Sequence, residues 1–181
     1  MLSLTASKTG ILQPNTLLPD MPAMENRLTV RPASAGDIDT LVTLLQQLFT
    51  IEDDFQIDGK KQRQGLAMML DNPRGCIMVA ENNGRVIGMC TGQLLVSTAE
   101  GGPALFMEDV VVAEGFRGYG AGRLLVSAMG EWAAGRGASR LQLLADQKNR
   151  EALAFYARLG WQTTGLICLR KYQEIDSIQP P

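Results

Sequence analysis

The chain has 181 residues, a length that accommodates one domain with a short extension rather than two domains. Hydrophobic residues make up 45% and charged residues 20%, which supplies a core and excludes disorder of the whole chain. A net charge of -2, from 17 Lys plus Arg against 19 Asp plus Glu, argues against a dedicated nucleic-acid binder, whose affinity comes mostly from neutralising phosphates.

The sequence contains no histidine, which removes Ser-His-Asp and Cys-His catalysis, His-ligated metal sites and an imidazole base together. Cys76, Cys90 and Cys168 are far apart and set in apolar surroundings, so they read as buried free thiols of a reducing cytoplasm. No apolar run reaches the ~18 residues that span a bilayer, and no basic segment followed by an apolar one marks a secretory signal. The expected location is cytoplasmic, without membrane or nucleic-acid partners.

In chain order, residues 1–26 carry Pro14, Pro19 and Pro22 with no helical or strand period and read as a flexible extension. Residues 28–31 predict a short strand. Ser34 with Asp37 approximates a capping box, and Ile38, Leu41, Val42 and Leu45 then form one apolar helix face. A second helix is predicted over 60–70, stopped by Asp71-Asn72-Pro73. Residues 76–80 and 86–96 are strand-like and joined by Asn82-Asn83-Gly84, a hairpin turn signal.

After a turn over 99–103, residues 104–112 predict a third strand of this middle group. Leu125, Ala128, Met129 and Trp132 make a helical stripe, and residues 140–144 a strand. Ala152, Phe155, Tyr156 and Leu159 make a second stripe ending at Gly160, and residues 161–169 close the chain as a strand. The order is β-α-α-β-β-β-α-β-α-β, a mixed α+β fold over 27–172, with 173–181 as a C-terminal tail.

The densest signal is a strand ending in Val110, Val111 and Val112, followed after a short turn by Arg117, Gly118, Tyr119, Gly120, Ala121, Gly122 and Arg123, with an amphipathic helix starting at once. A strand, a glycine-rich turn and a helix N-terminus gather unpaired backbone N–H groups and a positive dipole end around one point, which makes an anion site. Arg117 and Arg123 add charge. A Walker loop would need Lys and Ser or Thr after the last glycine, where Arg123 and Leu124 stand. A dinucleotide fingerprint would follow the first strand of a parallel unit, whereas this loop follows three antiparallel-looking strands.

The run from Arg117 to Gly122 resembles the Q/R-x-x-G-x-G/A signature of the GCN5-related N-acetyltransferases (GNAT). Downstream, Asn149, Ala152, Phe155, Tyr156, Gly160 and Trp161 resemble that family's second motif, N-x-x-A-x-x-F-Y-x-x-x-G-F, at the family's separation. The resemblance implies a GNAT-like acyl-CoA N-acyltransferase fold over 27–172 and acetyl-coenzyme A as acyl donor, with no metal. It places the donor pyrophosphate on the backbone amides of residues 118–122 and pairs the pantetheine arm with Val110, Val111 and Val112 like an added strand. Asn149 would contact the donor, and it also has the type and position of a helix N-cap.

The implied reaction is direct attack of a primary amine on the thioester, without a covalent enzyme intermediate. Glu108, just before the pantetheine-pairing residues, is the expected base acting through water. Asp109 ranks second, because strand alternation turns it to the other face. Tyr156 would protonate the leaving thiolate, and a backbone N–H near Val111 would hold the oxyanion.

Charge is segregated: residues 116–160 carry seven Lys and Arg against three Asp and Glu, which suits a polyanionic donor. Residues 36–59 carry Asp37, Asp39, Glu52, Asp53, Asp54 and Asp58 with no basic residue, which suits a small cationic amine as acceptor. The resemblance also implies a homodimer. Competing readings are acetylation of a protein amine, a non-catalytic acyl-coenzyme A sensor, and a nucleotide-binding domain using the same glycine loop.

Overall fold

The computed structural model describes residues 27–50 and 56–173. The extension expected over 1–26, the acidic residues Glu52, Asp53 and Asp54, and all but the first residue of the tail over 173–181 lie outside the described residues. The elements are β1 (Leu28–Pro32), α1 (Ile38–Phe49), α2 (Gly59–Asp71), β2 (Gly75–Asn82), β3 (Arg85–Ser97), β4 (Gly102–Val112), α3 (Ala121–Ala134), β5 (Arg140–Leu143) and α4 (Arg150–Arg158). The strands form one sheet in the order β1-β2-β3-β4-β5, antiparallel through β4, with β4 and β5 parallel. This is the mixed α+β class that the hydrophobic periods predict.

Local chemistry explains the boundaries. The Asp37 carboxylate accepts from the Ser34 backbone N–H at 2.7 Å and from its hydroxyl at 2.9 Å, so the expected capping box is formed ahead of α1. Asp58 accepts from the backbone N–H groups of Lys60 and Lys61 and starts α2. The hairpin between β2 and β3 turns at Asn83 and Gly84, both at positive φ, as a two-residue turn matched to strand twist demands.

The two faces of the sheet carry separate cores. On one, α3 buries Leu125, Met129 and Ala133 against Cys90, Leu105 and Met107, with Phe155 and Tyr156 of α4 and the following Leu159 packed alongside. On the other, Leu41, Leu44 and Leu45 of α1 and Leu66 of α2 pack against Ile77, Val79, Met89 and Val111. Gly92 suits this packing, because a Cβ there would stand 2.7 Å from the Met129 sulfur and would force that side chain to shift.

One expected strand is absent. Residues 161–169 form no ladder with the sheet. Trp161 packs edge-on against Tyr156, but residues 162–173 are all exposed, Leu166 and Leu169 at 86% each. The β-propensity of Leu166, Ile167 and Leu169 reflects a fit to a half-buried pleated surface, and it makes a strand only where a neighbouring strand supplies that surface. The cysteine reading divides in the same way: Cys76 and Cys90 are buried free thiols, whereas Cys168, within this segment, is exposed.

Candidate active site around strand β4

Strand β4 changes face halfway along. Leu105 and Met107 pack toward α3, whereas Val111 packs toward α1 and α2, an inversion that simple alternation forbids. The cause is a β-bulge: Met89 pairs with Val111 and Thr91 with Glu108, so β4 holds one more residue than β3 between these pairs. Asp109 sits in it at φ 50, in the left-handed region that non-glycine residues rarely enter. The bulge brings Asp109 to the face of Thr91, whose hydroxyl donates to its Oδ2 at 2.9 Å. The expectation that Asp109 turns away is corrected here, since alternation holds only where the ladder is regular.

Glu108, the first-ranked base, is exposed on β4, and Asp109 is half-buried. Burial pushes the Asp109 carboxyl above its ordinary value, with the Thr91 hydrogen bond opposing. Desolvation by the surrounding chain raises Glu108 as well although its side chain reaches solvent, the neighbouring Asp109 adds to this, and Arg170 opposes it.

Just before the bulge, β4 and β5 part. Their ladder runs from Ala104 with Arg140 to Met107 with Leu143, and β4 continues past it to Val112. A 3-10 turn over Glu114–Phe116 leads to the glycine loop, where Gly118 and Gly120 stand at φ 83 and 91 and Gly120 is the N-cap of α3. A Cβ at either glycine would meet nothing within 4 Å, so these two glycines serve backbone conformation and an open approach to the amides. Neither a capping side chain nor an acidic residue occupies the first turn of α3, which leaves its N–H groups and dipole for an outside anion.

Arg117, Tyr119 and Arg123 are exposed around this loop, and the Arg117 Nε donates to the Val112 carbonyl at 3.1 Å. Ala121 is buried beneath it. Gly122 meets α4, since a Cβ there would lie 3.3 Å from the Phe155 ring. Tyr156, next along α4, is half-buried between Phe155 and Trp161, with ring centroids 5.1 and 5.7 Å away. Asn149 caps α4, its Oδ1 accepting from the Ala152 N–H at 3.0 Å. The loop, the end of β4 and the Tyr156-bearing helix are thus drawn together.

On the α1–α2 side of β4 lies a cleft of about 480 Å³ whose lining includes Gln62, Asn72, Thr91, Gln93 and Asp109. Sequence reasoning missed Gln62, Thr91 and Gln93. The available signal was Gln62 itself, a polar residue four positions before Leu66 on the buried face of α2. The described acidic residues of 36–59 are engaged locally: Asp37 with Arg31 at 2.8 Å, Asp39 with Arg63, and Asp58 at the start of α2. Among the described residues no helix is long and apolar enough to cross a membrane, and no three Cys, Asp or Glu are grouped to hold a metal.

Comparison with known proteins agrees with this fold. The family model described as "Acetyltransferase (GNAT) family" matches residues 39–161. The uncharacterized N-acetyltransferase MJ1207 of Methanocaldococcus jannaschii is 26% identical over 74% of this chain, which spans 60% of that protein's length. The aminoalkylphosphonate N-acetyltransferase of Salmonella typhimurium is 29% identical over 74% of this chain and 84% of its own. The aminoglycoside N-acetyltransferase AAC(6')-Iy, solved in complex with CoA, shares the fold with a TM-score of 0.72 over 82% of this chain and 96% of its own, at 16% identity. With the family model covering most of the described fold, this chain belongs to the acetyltransferase (GNAT) family.

Proposed function

We propose that this chain carries the acetyl group of acetyl-coenzyme A to a primary amine of a small molecule that approaches as a cation. The observation that carries this reading is β4 itself, which parts from β5, opens onto a glycine-capped helix N-terminus, and has a carboxylate-bearing cleft on its other side. The amides of residues 118–122 receive the pyrophosphate, with Arg117 and Arg123 adding charge. Val110, Val111 and Val112 pair with the pantetheine arm where β5 has ended. Asn149, occupied in capping α4, supports the donor site through that helix.

The ammonium gives a proton to Glu108 through water, and the freed lone pair attacks the thioester carbonyl. A backbone N–H near Val111 holds the oxyanion, and collapse breaks the C–S bond. The thiolate takes the Tyr156 proton, which the departing nitrogen proton replaces. Burial keeps the Cys76 and Cys90 thiols protonated, which suits a route without an acyl-enzyme. Three free thiols suit a reducing cytoplasm, and the exposed Leu166, Ile167, Leu169 and Tyr172 suit a homodimer.

The test is thermal unfolding with and without acetyl-coenzyme A, coupled to thiol release over a panel of small amines. Stabilisation with turnover is expected. Stabilisation without turnover on any amine would favour an acyl-coenzyme A sensor or a protein acceptor, and no stabilisation would overturn the glycine-loop assignment.

A further inference from the structure

We propose that the cleft beside β4 selects amines that carry an uncharged donor–acceptor group, a carboxamide being its full complement, with the ammonium on Asp109 and the second group on the amide of Gln62. This inference rests on the acetyltransferase reading and names the acceptor class of that site.

Three observations carry it. First, Gln62 lines the cleft while both its Oε1 and its Nε2 are buried without a hydrogen-bond partner. A buried amide with neither end satisfied by a protein group is rare, and a polar ligand entering the cleft can complete it. A carboxamide satisfies both ends at once, whereas a carboxylate serves only the donor, an ammonium only the acceptor and an alkyl group neither.

Second, Asp109 is held at positive φ by the bulge, a conformation that persists when the surroundings impose it and that clusters at functional sites. Thr91 takes its Oδ2, and Oδ1 has no partner among the described residues. Third, the other charges lining the cleft offset each other, since the Lys61 Nζ stands 4.0 Å from the Asp58 carboxylate. Among the described residues lining the cleft, the remaining charge is the carboxylate of Asp109, which matches one ammonium.

The experiment compares near-isosteric acceptors: β-alaninamide, 3-methylbutylamine, β-alanine and 1,3-diaminopropane, together with the set extended by one methylene. Each is measured for kcat/KM in acetylation and, separately, for binding to the protein by calorimetry. The amide of one set is expected to exceed its alkylamine, amino acid and diamine counterparts by at least about tenfold, because a site built for a polar group rejects analogues that leave it unpaired. Gln62→Leu, and Gln62→Met as a second variant, should collapse that preference to within about twofold, while Asp109→Asn weakens binding of every amine.

An equal response to amide and alkylamine in the native protein, or a preference that survives both Gln62 variants, would overturn the proposal. Calorimetry separates this failure from that of the acetyltransferase reading. An amide preference in binding without acetyl transfer would support the cleft assignment and reject the activity.

Discussion

The Thr91 hydroxyl donates to the Asp109 carboxylate across the one bulge in the β3–β4 ladder, at 2.9 Å, a contact made possible because the bulge turns the half-buried acid to the face of Thr91. Asp109 consequently combines a left-handed backbone, a polar partner and a position in the cleft wall. Thr91→Val would leave the carboxylate without that donor and should cost about 1–3 kcal/mol in urea unfolding.

Asp109→Asn should raise stability at neutral pH, because the ionised carboxylate is the form that burial disfavours. The sign follows from linkage: a raised folded-state pKa means that the native chain binds the proton more tightly, so the penalty is complete above that pKa. The advantage of the Asn variant should shrink as pH falls through that value and disappear below the ordinary carboxylate range. Paired urea titrations across pH would show this convergence, and a constant difference would contradict it.

The Arg31–Asp37 pair predicts the opposite slope. Arg31 holds the Asp37 carboxyl well below the usual carboxylate range, through bonds of 2.8 and 2.9 Å and with help from Ser34. Its contribution is present above the ordinary carboxylate pKa and is lost as pH falls below it. Asp37→Asn should cost about 1–3 kcal/mol at pH 7, measured by chemical unfolding, with the cost fading in acid.

Gly120→Ala should lose about 1–2 kcal/mol, since an L side chain at φ 91 meets the left-handed penalty. It should also reduce the thermal shift produced by acetyl-coenzyme A, because the amides of the loop would be displaced. Gly115→Ala is the control: that residue has an ordinary φ and open space around its Cβ position. It should leave both readouts close to those of the native chain.

Thiol labelling should separate the three cysteines. Burial pushes the Cys76 thiol up to about 11 and the Cys90 thiol higher still, and both side chains are enclosed by the core around α3. Cys168 is exposed and should react with iodoacetamide in the folded protein, with the other two labelled only on unfolding. Mass spectrometry of the native chain would count one modification per molecule.

The features legible from residues alone were local ones. The box at Ser34 and Asp37, the stop at Asn72, the Asn83-Gly84 turn and the glycine after α4 each involve groups a few residues apart, so short-range sterics and hydrogen bonding determine them. The glycine loop belongs with them, because positive φ at Gly118 and Gly120 needs no distant partner. The family motifs lie in these same segments, which is why the family was readable along the chain.

The cleft proposed for the acceptor was decided by the tertiary structure. Whether Asp109 faces Thr91 depends on how many residues β4 places opposite β3, a register set by two strands and the cores on both faces. Gln62 has meaning only once α2 lies against the sheet and buries its amide without a partner. The apolar run at Leu166, Ile167 and Leu169 has strand composition and no strand, because ladder hydrogen bonds need an edge that the segment itself cannot supply. Local patterning thus determines elements and turns, and non-local pairing determines which side chains meet.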